Sequence, residues 1–436
     1  MSIVGPKTAE WFDRAFSSLA NGVSSGWRYW GRDETIVISR GEGAYLYDPD
    51  GKRYIDYHCG FGPVILGHAD PTVTAAVAEA AASGITYAFT QEREVQAAET
   101  FKQAVPWVEQ LRFTNTGTEA TMHAVRLARG FTGRDIIVKF EGTYHGAHDY
   151  VMYSTPGDSI EGLGSPYRPI PTPMSSGMPH EIGSLILVLP FNDVDAVRRT
   201  FADHGNRIAA LIVEPMLGNA MGIEADPGFL AELRAQCDAT GSVLIFDEVK
   251  TGFRIAVGGA VEAYGVTPDL GTFAKAMGNG VPVAAIAGRG EVLEGWKRGG
   301  ITHAGTYCGN SISTSAARAT IERLLTGEPM QRVERAGTAL MEGTSKILAN
   351  RSVPHSVQGR PAMFGFFFGE NPIHDYRATD AHDSQLYERL IMGMIRRGVM
   401  PSPEAYEPWF LCAALSDEDV ATTLQVFEES LDEALA

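Results

Sequence analysis

The sequence predicts an α/β protein with a mainly parallel central β-sheet covered by helices, together with a smaller α+β domain. Between about residues 70 and 300, short apolar segments alternate with segments of helical periodicity. Apolar strands that alternate with helices are typical of parallel sheets buried on both faces. After about residue 310 the pattern changes to a long helix, then strands, then two more helices, which indicates the separate, smaller domain.

Each element of this fold is predicted from a local pattern. The turn at residues 48–51 separates the short segments 44–47 and 53–56 and predicts a hairpin. Apolar segments of strand length predict the central sheet, over residues 111–115, 135–140, 185–190, 208–214 and 243–249. The remaining predictions are helices over 229–237 and 313–325 and a strand over 363–368.

The chain is predicted to divide into a large and a small domain. Residues 66–310 are expected to form the large domain, and the terminal segments 1–65 and 311–436 to build the small one. Residues 154–181 fit neither pattern, because they hold six prolines and four glycines without a hydrophobic period. A loop of this length inside a compact fold is usually functional or disordered, and we predict that it is a lid.

Composition and charge exclude several classes of protein. The 36 basic and 53 acidic residues give a net charge of −17, which disfavours nucleic acid and anionic membranes as partners. No apolar run of transmembrane length and no signal peptide are recognisable. The four cysteines lie far apart without a C-x-x-C pair, as expected for reduced thiols rather than a zinc site or disulfides. We therefore expect a soluble, cytoplasmic protein without a metal site.

The segment from Phe113 to Ala120 is the first candidate site feature. It combines a strand end, a Gly turn with two hydroxyl residues and the start of a helix. Free backbone N–H groups and the positive end of the helix dipole bind anions at such a position, so the segment can hold a phosphate. The same residues are also compatible with an ordinary N-cap that binds no ligand.

Two further features supply the chemistry of a carbonyl cofactor. Asp247 closes an apolar strand at its carboxyl end, where ligands bind in open α/β sheets. Lys275 lies between an apolar turn and a Gly-rich segment, where burial can deprotonate it. The two residues are 28 positions apart (275 − 247), so both can reach one crevice. A phosphate cradle, a carboxylate and a lysine are the three anchors of pyridoxal 5'-phosphate (PLP). The alternative is a binding protein without a cofactor. It is disfavoured because the presence of both Asp247 and Lys275 would then be a coincidence.

Several segments resemble one family closely. They are residues 43–45 with 50–56, 62–63 with 67–69, 140–146, 213–215, 246–254, and 304–306 before 309–310. This pattern is similar to that of the class III aminotransferases of fold type I, and within them to the glutamate-1-semialdehyde 2,1-aminomutases. The resemblance extends from about residue 15 to the end of the chain. The Gly-x-Gly steps lack the third glycine of a dinucleotide fingerprint, which disfavours a Rossmann-type dehydrogenase.

The resemblance implies PLP as the cofactor and a role for each matching residue around it. Residues that would hold the phosphate are Thr116, Gly117 and Thr118. Residues that would contact the ring are Tyr144, which stacks on it, His145 beside it, and Glu214 and Asn219 on the floor. Asp247 would pair with the ring nitrogen, and Lys275 would bind the cofactor as a Schiff base and shuttle the proton. The implied catalytic residues are therefore Lys275, Asp247 and Tyr144.

The resemblance also implies a substrate region and a partner. Arg28 would lie near the substrate carboxylate, while Phe61 and Glu407 would face the same pocket. Gly305 and Thr306 would reach the phosphate of the neighbouring subunit, which implies a homodimer with shared active sites. Lys250, where many relatives carry Met, is interpreted as incidental, and Arg254 as a structural ion pair.

Differences from the aminomutases lead us to predict an aminotransferase. They are Phe61 for Trp, Thr116 for Ser, Asn279 within a Gly triplet, His303 for Gln, Ser311 for Pro, and Ser24-Ser25-Gly26 before Trp27 and Arg28. We expect most of these positions to surround the cofactor or the substrate, and Trp27, Tyr29 and Trp30 to favour a bulky substrate. The predicted reaction is ping-pong transfer of an amino group between an amino acid or amine and a keto acid or aldehyde. Glutamate-1-semialdehyde aminomutase is the alternative.

Overall fold

A seven-stranded sheet forms the centre of the computed structural model, which describes residues 3–157, 159–298 and 300–436. We label its strands β1 to β7 in chain order: Gln110–Thr114, Ile136–Phe140, Ile186–Leu189, Ile208–Val213, Val243–Glu248, Leu270–Phe273 and Ala284–Gly288. Their spatial order is β1-β7-β6-β5-β4-β2-β3. Neighbouring strands are parallel except at β7, which runs antiparallel to β1 and β6. The mainly parallel sheet is therefore confirmed.

Helices cover both faces of this sheet. Along β5, Leu244 packs in one apolar cluster with the helix Phe229–Thr240, and the next residue, Ile245, packs in another with the helix Gly117–Thr132. This alternation follows from the strand geometry, because successive side chains point to opposite faces. The α-helices of the described residues are Pro6–Ser18, Pro71–Ala82, Glu92–Ala104, Gly117–Thr132, Val194–His204, Phe229–Thr240, Gly259–Tyr264, Gly290–Leu293, Gly295–Arg298, Ser311–Leu325, Glu328–Asn350, Ser384–Arg396 and Asp417–Leu435.

The N- and C-terminal parts of the chain meet in a smaller sheet, as predicted. Arg40–Glu42, Tyr45–Tyr47 and Arg53–Asp56 pair in antiparallel order, and Val399–Met400 adds to Arg53–Asp56 in parallel. The predicted hairpin is therefore present. A third sheet is antiparallel and consists of Ser356–Arg360, Met363–Phe367 and Trp409–Phe410. Met216–Leu217 and Ile223–Glu224 form a two-residue antiparallel pair near the site.

The predicted elements are present, with small differences at their ends. The five predicted strands of the central sheet each lie within one residue of the observed bounds. The predicted helix at 229 continues to Thr240, and the one at 313 begins at Ser311. The helix Glu328–Asn350 was not predicted, although its buried residues recur on one face. Strands β6 and β7 were not predicted either.

Residues 154–181 are largely irregular in the part that the structure describes. They contain a short 3-10 turn at Ile160–Leu163 and a two-residue strand pair, Gly164–Ser165 with Arg168–Pro169. Another 3-10 turn, His180–Leu185, leads into β3. Within the described ranges, no helix combines the length and the apolar character that a membrane span requires.

Candidate active site

Two adjoining chambers lie at the carboxyl ends of the parallel strands. The inner chamber has a volume of about 310 Å³, and the outer chamber one of about 330 Å³. Predicted residues that line the inner chamber are Thr116, Gly117, Thr118, Tyr144, His145, Glu214, Asn219, Asp247 and Lys275. Predicted residues that line the outer chamber are Arg28, Phe61 and Glu407. Tyr144, Asn219, Lys250 and Lys275 border both chambers, so a group bound in one is in reach of the other.

Asp247 is held rigidly near the end of β5. Its Oδ1 accepts hydrogen bonds from Thr272 Oγ1 (3.0 Å) and from the N–H of Val249 (3.1 Å). Its Oδ2 lies 2.7 Å from Nδ1 of His145, whose pKa is lowered by burial. The Asp247 side chain is almost fully buried. A fixed, buried carboxylate at the chamber wall can pair with a protonated ring nitrogen, because an opposite charge stabilises the protonated form.

Lys275 is prepared to act as a nucleophile. It follows β6 and has a φ angle of +47°, in the left-handed region that non-glycine residues rarely occupy. Burial lowers its pKa to about 7, and the neighbouring ammonium of Lys250 contributes in the same direction. At neutral pH a substantial fraction of its side chain is therefore the free amine, the form that attacks a carbonyl carbon.

The start of the helix Gly117–Thr132 combines an N-cap with a free anion site. Thr116 Oγ1 accepts the hydrogen bond of the Glu119 N–H (3.1 Å), so the N-cap interpretation is correct. The first-turn N–H groups of Gly117 and Thr118 have no helical carbonyl to bind and lie at the inner chamber. A Cβ atom at Gly117 would lie 3.0 Å from Val249, so glycine lets the helix start approach the end of β5 closely. The site therefore suits a phosphate.

Glu214 positions the aromatic residue that borders both chambers. Its Oε1 accepts the backbone N–H of Tyr144 (2.8 Å), and its Oε2 accepts that of Gly218 (3.0 Å). Burial raises the pKa of Glu214 to about 7, and the negative charge of Asp247 adds to this effect. The carboxyl group thus fixes the loop that presents the Tyr144 ring.

The outer chamber is lined largely by aromatic and apolar side chains. Arg28 stands at its solvent side, and Trp27, Met174 and Tyr406 join the predicted Phe61. Met174 and Tyr406 were not predicted, since no local pattern distinguishes them from core residues.

The expectation that Tyr29 and Trp30 belong to the substrate pocket was wrong, because neither lines the chamber. Tyr29 stacks on Phe12, and Trp30 packs against the core.

The predicted lid borders the outer chamber through Pro156, Gly157 and Met174. The Gly157 N–H donates to the hydroxyl of Tyr376 (2.9 Å). The guanidinium of Arg377 binds both carboxylate oxygens of Glu141, at 2.8 and 2.7 Å. The same guanidinium donates to the carbonyls of Leu163 and Gly164. Residues 376 and 377 thus attach the segment to the site, and whether it opens stays a prediction.

The interpretation of Lys250 as an incidental residue was wrong. Its ammonium is buried between the chambers and donates to Gly218 O (2.8 Å), Asn219 Oδ1 (2.7 Å) and Glu407 Oε1 (2.7 Å). Arg254 is structural, as expected, but it has no ion pair with any residue that the structure describes. Its fully buried guanidinium instead donates to backbone carbonyls, those of Gly62, Val64, Ala362 and Leu411.

Three of the six differences from the aminomutases lie at the chambers of this chain. Phe61 and Thr116 line the chambers, as do Ser25, Trp27 and Arg28 of the N-terminal segment. The other three differences lie elsewhere. Asn279 binds the backbone of residues 65–67, His303 packs against His123 and Trp296, and Ser311 donates to Gln91. Within this chain the three side chains contact other residues and line neither chamber.

Gly305 and Thr306 lie outside both chambers of their own chain and are exposed. This placement is compatible with the predicted contact to a neighbouring subunit, which stays a prediction. No sequence signal other than the resemblance identifies these two residues.

The chain is similar to known proteins over nearly its whole length. Residues 29–424 match the family model described as aminotransferase class-III. The chain is 41% identical to a glutamate-1-semialdehyde 2,1-aminomutase of Methanothermobacter thermautotrophicus, over 98% of this chain and 99% of that protein. It is 39% identical to a protein of the same name from Thermoplasma acidophilum, over 97% and 98%. Among solved structures, an omega-transaminase from Sphaerobacter thermophilus superposes with a TM-score of 0.93 at 32% identity, covering 99% of this chain and 98% of that one.

Proposed function

The chain belongs to the class III aminotransferase family, whose cofactor is PLP, and from this we propose that it transfers amino groups between separate substrates. One partner would be an amino acid or amine and the other a keto acid or aldehyde, and the reaction would follow a ping-pong order. We propose in addition that a carboxylate on the substrate binds Arg28. The observation that carries the proposal is the outer chamber, which combines one guanidinium at its solvent side with walls of Trp27, Phe61 and Tyr406.

The residues of the inner chamber fit PLP. The N–H groups of Gly117 and Thr118 and the Thr116 region would hold its phosphate, Asp247 its ring nitrogen and Lys275 its carbonyl carbon. When bound, PLP supplies an electron sink that makes the C–H bond beside the substrate nitrogen acidic. Lys275 Nζ is the base in reach of that position, because its lowered pKa lets it both accept and return a proton near neutral pH.

The shape of the outer chamber supports transfer to a second, larger substrate. A short polar semialdehyde needs few apolar contacts, whereas Trp27, Phe61, Met174 and Tyr406 offer an extended apolar surface. Burial of an aryl or branched side chain against these residues would contribute about 25 cal/mol for each Å² removed from water.

Glutamate-1-semialdehyde 2,1-aminomutase is the second candidate. Two full-length relatives of that name, at 39% and 41% identity, favour it, and the sequence comparison supports it more directly than it supports the first candidate. Three of the differences lie outside both chambers of this chain, so the case against this candidate rests on the positions that line the chambers. Under this candidate, glutamate-1-semialdehyde alone would yield 5-aminolevulinate.

Arg28 provides the experiment for the proposed substrate class. The purified PLP form is mixed with amino acids and with amines that lack a carboxylate, and the loss of its visible absorbance is followed. Arg28→Ala should weaken carboxylate-bearing donors by about 1.5–3 kcal/mol and leave the other amines nearly unchanged. Arg32→Ala is the matched control, because Arg32 is exposed and binds Asp13 away from both chambers. Equal losses for both classes of donor in Arg28→Ala would refute the assignment.

A further inference from the structure

A buried ion pair stands in the wall between the two chambers. The ammonium of Lys250 lies 2.7 Å from Oε1 of Glu407, and the two side chains are only 5% and 10% exposed. All three of its N–H groups have acceptors, because it also donates to Gly218 O and Asn219 Oδ1. A Cβ atom at Gly218 would lie 2.5 Å from the Lys250 side chain, so glycine is needed there for the lysine to pass.

Stability does not explain this pair. Two charges removed from water pay a large desolvation penalty, and an apolar pair of similar volume is often as stable or more so. Lys250 borders both chambers and Glu407 borders the outer one, so the charges lie where a substrate would contact them. Their position therefore indicates an effect on binding.

The charges around the outer chamber indicate how the pair affects the binding of charged ligands. Glu404 and Glu407 both line it, and Arg28 stands at its solvent side. Without Lys250, Glu407 would be an uncompensated carboxylate beside Glu404, and the chamber would attract a cation. With Lys250 bound to Glu407, that charge is neutralised inside the wall. The contact also orients Asn219, whose Oδ1 is used as an acceptor.

We propose that Lys250 is a specificity-determining residue, which neutralises Glu407 so that the outer chamber selects anionic over cationic substrates. The proposal rests on the proposed function, because it concerns how the same chamber chooses its substrate. It extends beyond Arg28, since it assigns the choice to a pair of buried charges that a bound carboxylate does not need to touch directly. Electrostatic selection of this kind acts through the sign of the local potential.

Two unreactive probes test the proposal on the holoenzyme. 3-Phenylpropanoate and trimethyl(2-phenylethyl)ammonium have the same aromatic end and opposite charges, and neither has a primary amine that could react with the cofactor. Calorimetry gives the ratio of their affinities. Lys250→Met should lower the anion-to-cation ratio at least about tenfold, and Glu407→Gln should raise it, because the lysine then stays without its counter-charge. The double variant should return the ratio to near the wild-type value.

A structural role for Lys250 would give a different result. Loss of packing alone would weaken both probes equally and leave their ratio unchanged in Lys250→Met, which would overturn the proposal. The matched control is Lys52→Met, because the Lys52 ammonium also donates to two backbone carbonyls but lines neither chamber. If Lys250→Met does not fold, Glu407→Gln alone tests the proposal. An unchanged or lowered anion-to-cation affinity ratio in that variant would contradict it.

A second measurement is independent of any substrate. Lys250 lowers the pKa of Lys275, and Glu407 acts in the opposite direction. The rate at which cofactor-free protein takes up PLP should therefore have its pH midpoint at higher pH in Lys250→Met and at lower pH in Glu407→Gln. Unshifted midpoints in both variants would refute the electrostatic coupling. Neither measurement needs turnover. If the proposed aminotransferase activity fails, the ratio of probe affinities and the pH midpoints therefore still test the role of Lys250.

Discussion

At the scale of single residues, the site depends on how burial changes ordinary side chains. Lys250 and Lys275 both border the chambers, but burial and hydrogen bonding favour a different protonation state in Lys275 than in the ammonium of Lys250. The Lys250 ammonium is fixed by three acceptors, whereas burial favours the free amine of Lys275. A free amine without a fixed proton can attack a carbonyl, and a fully hydrogen-bonded ammonium cannot.

This difference predicts that Lys275 alone carries the cofactor. Borohydride should abolish the visible absorbance of the purified protein, and peptide mapping should find the reduced pyridoxyl group on Lys275. Lys275→Ala should lose at least about a thousandfold in rate, or roughly 4 kcal/mol of barrier. Lys297→Ala, outside both chambers, should behave as wild type. An adduct on Lys250 or Lys297 would overturn the assignment.

The lowered pKa of Lys275 predicts how PLP uptake depends on pH. Below a pH of about 7 the side chain is protonated and unreactive, and above it the free amine predominates. The rate of PLP uptake by cofactor-free protein should rise about tenfold for each pH unit below the midpoint and level off above it. Stopped-flow absorbance between pH 5 and 9, that is, about two units on either side, measures this. A midpoint near that of an exposed lysine would contradict the burial argument.

The residues that could be predicted from the sequence are those whose chemistry is unusual for their position. Asp247 and Lys275 could be predicted because a carboxylate at a strand end and a lysine before a Gly-rich segment are each informative, and their spacing joins them. Lys250 could not be assigned, since its partners Gly218 and Glu407 are 32 and 157 positions away. Contacts of that kind are set by tertiary packing.

At the scale of elements, the site is built by a few chain segments that end at one edge of the sheet. β5 presents Asp247, the segment after β6 presents Lys275, and the helix Gly117–Thr132 presents its free N–H groups. Strand ends and helix starts could be predicted within one or two residues because local patterns determine them. The helix Glu328–Asn350 was missed although its pattern is local, whereas the orientation of residues 154–181 depends on partners elsewhere in the chain.

Arg377 is predicted to restrain the segment 154–181. Its guanidinium binds Glu141 with two hydrogen bonds and two carbonyls of the segment, in a largely buried position. Breaking a buried pair costs about 3–5 kcal/mol, so Arg377→Ala should raise the rate of proteolysis within the segment at least about tenfold.

Limited proteolysis with mass spectrometry measures this effect. The control is Arg318→Ala, whose ion pair with Glu322 is exposed and remote from the segment. Substrate should slow the cleavage in wild-type protein if the segment closes over the outer chamber. Cleavage that is equal in Arg377→Ala and wild type would show that the pair does not restrain it, and equal cleavage with and without substrate would count against gating.

At the scale of the whole molecule, we propose a homodimer in which the partner completes each site. Gly305 and Thr306 are exposed and stand next to Tyr307, which is 64% exposed. Phe89, at 83% exposure, is also unusually open for an aromatic residue. A partner subunit that covered these side chains would remove their apolar surface from water. The resemblance suggested the dimer, and no single-chain pattern could have done so.

Mixed dimers test the shared site. Lys275→Ala removes the cofactor lysine, and Thr306→Asp places a negative charge where the partner's phosphate is expected, so each variant alone should be inactive. In a dimer of one of each, one site keeps both residues intact. Co-expression should therefore restore about a quarter of wild-type activity, because half of randomly assorted dimers are mixed and each has one intact site. No recovery, or a fully active monomer in sedimentation experiments, would contradict the shared arrangement.

The destination of the amino group distinguishes the two candidate reactions most directly. Glutamate-1-semialdehyde is supplied alone in one reaction, and in another an amino acid labelled with a heavy nitrogen isotope is supplied with a keto acid. We expect stoichiometric transfer of the labelled nitrogen to the keto acid, and slow or no formation of 5-aminolevulinate from the semialdehyde. Efficient formation of 5-aminolevulinate without any added acceptor would contradict this expectation and establish the aminomutase reaction instead.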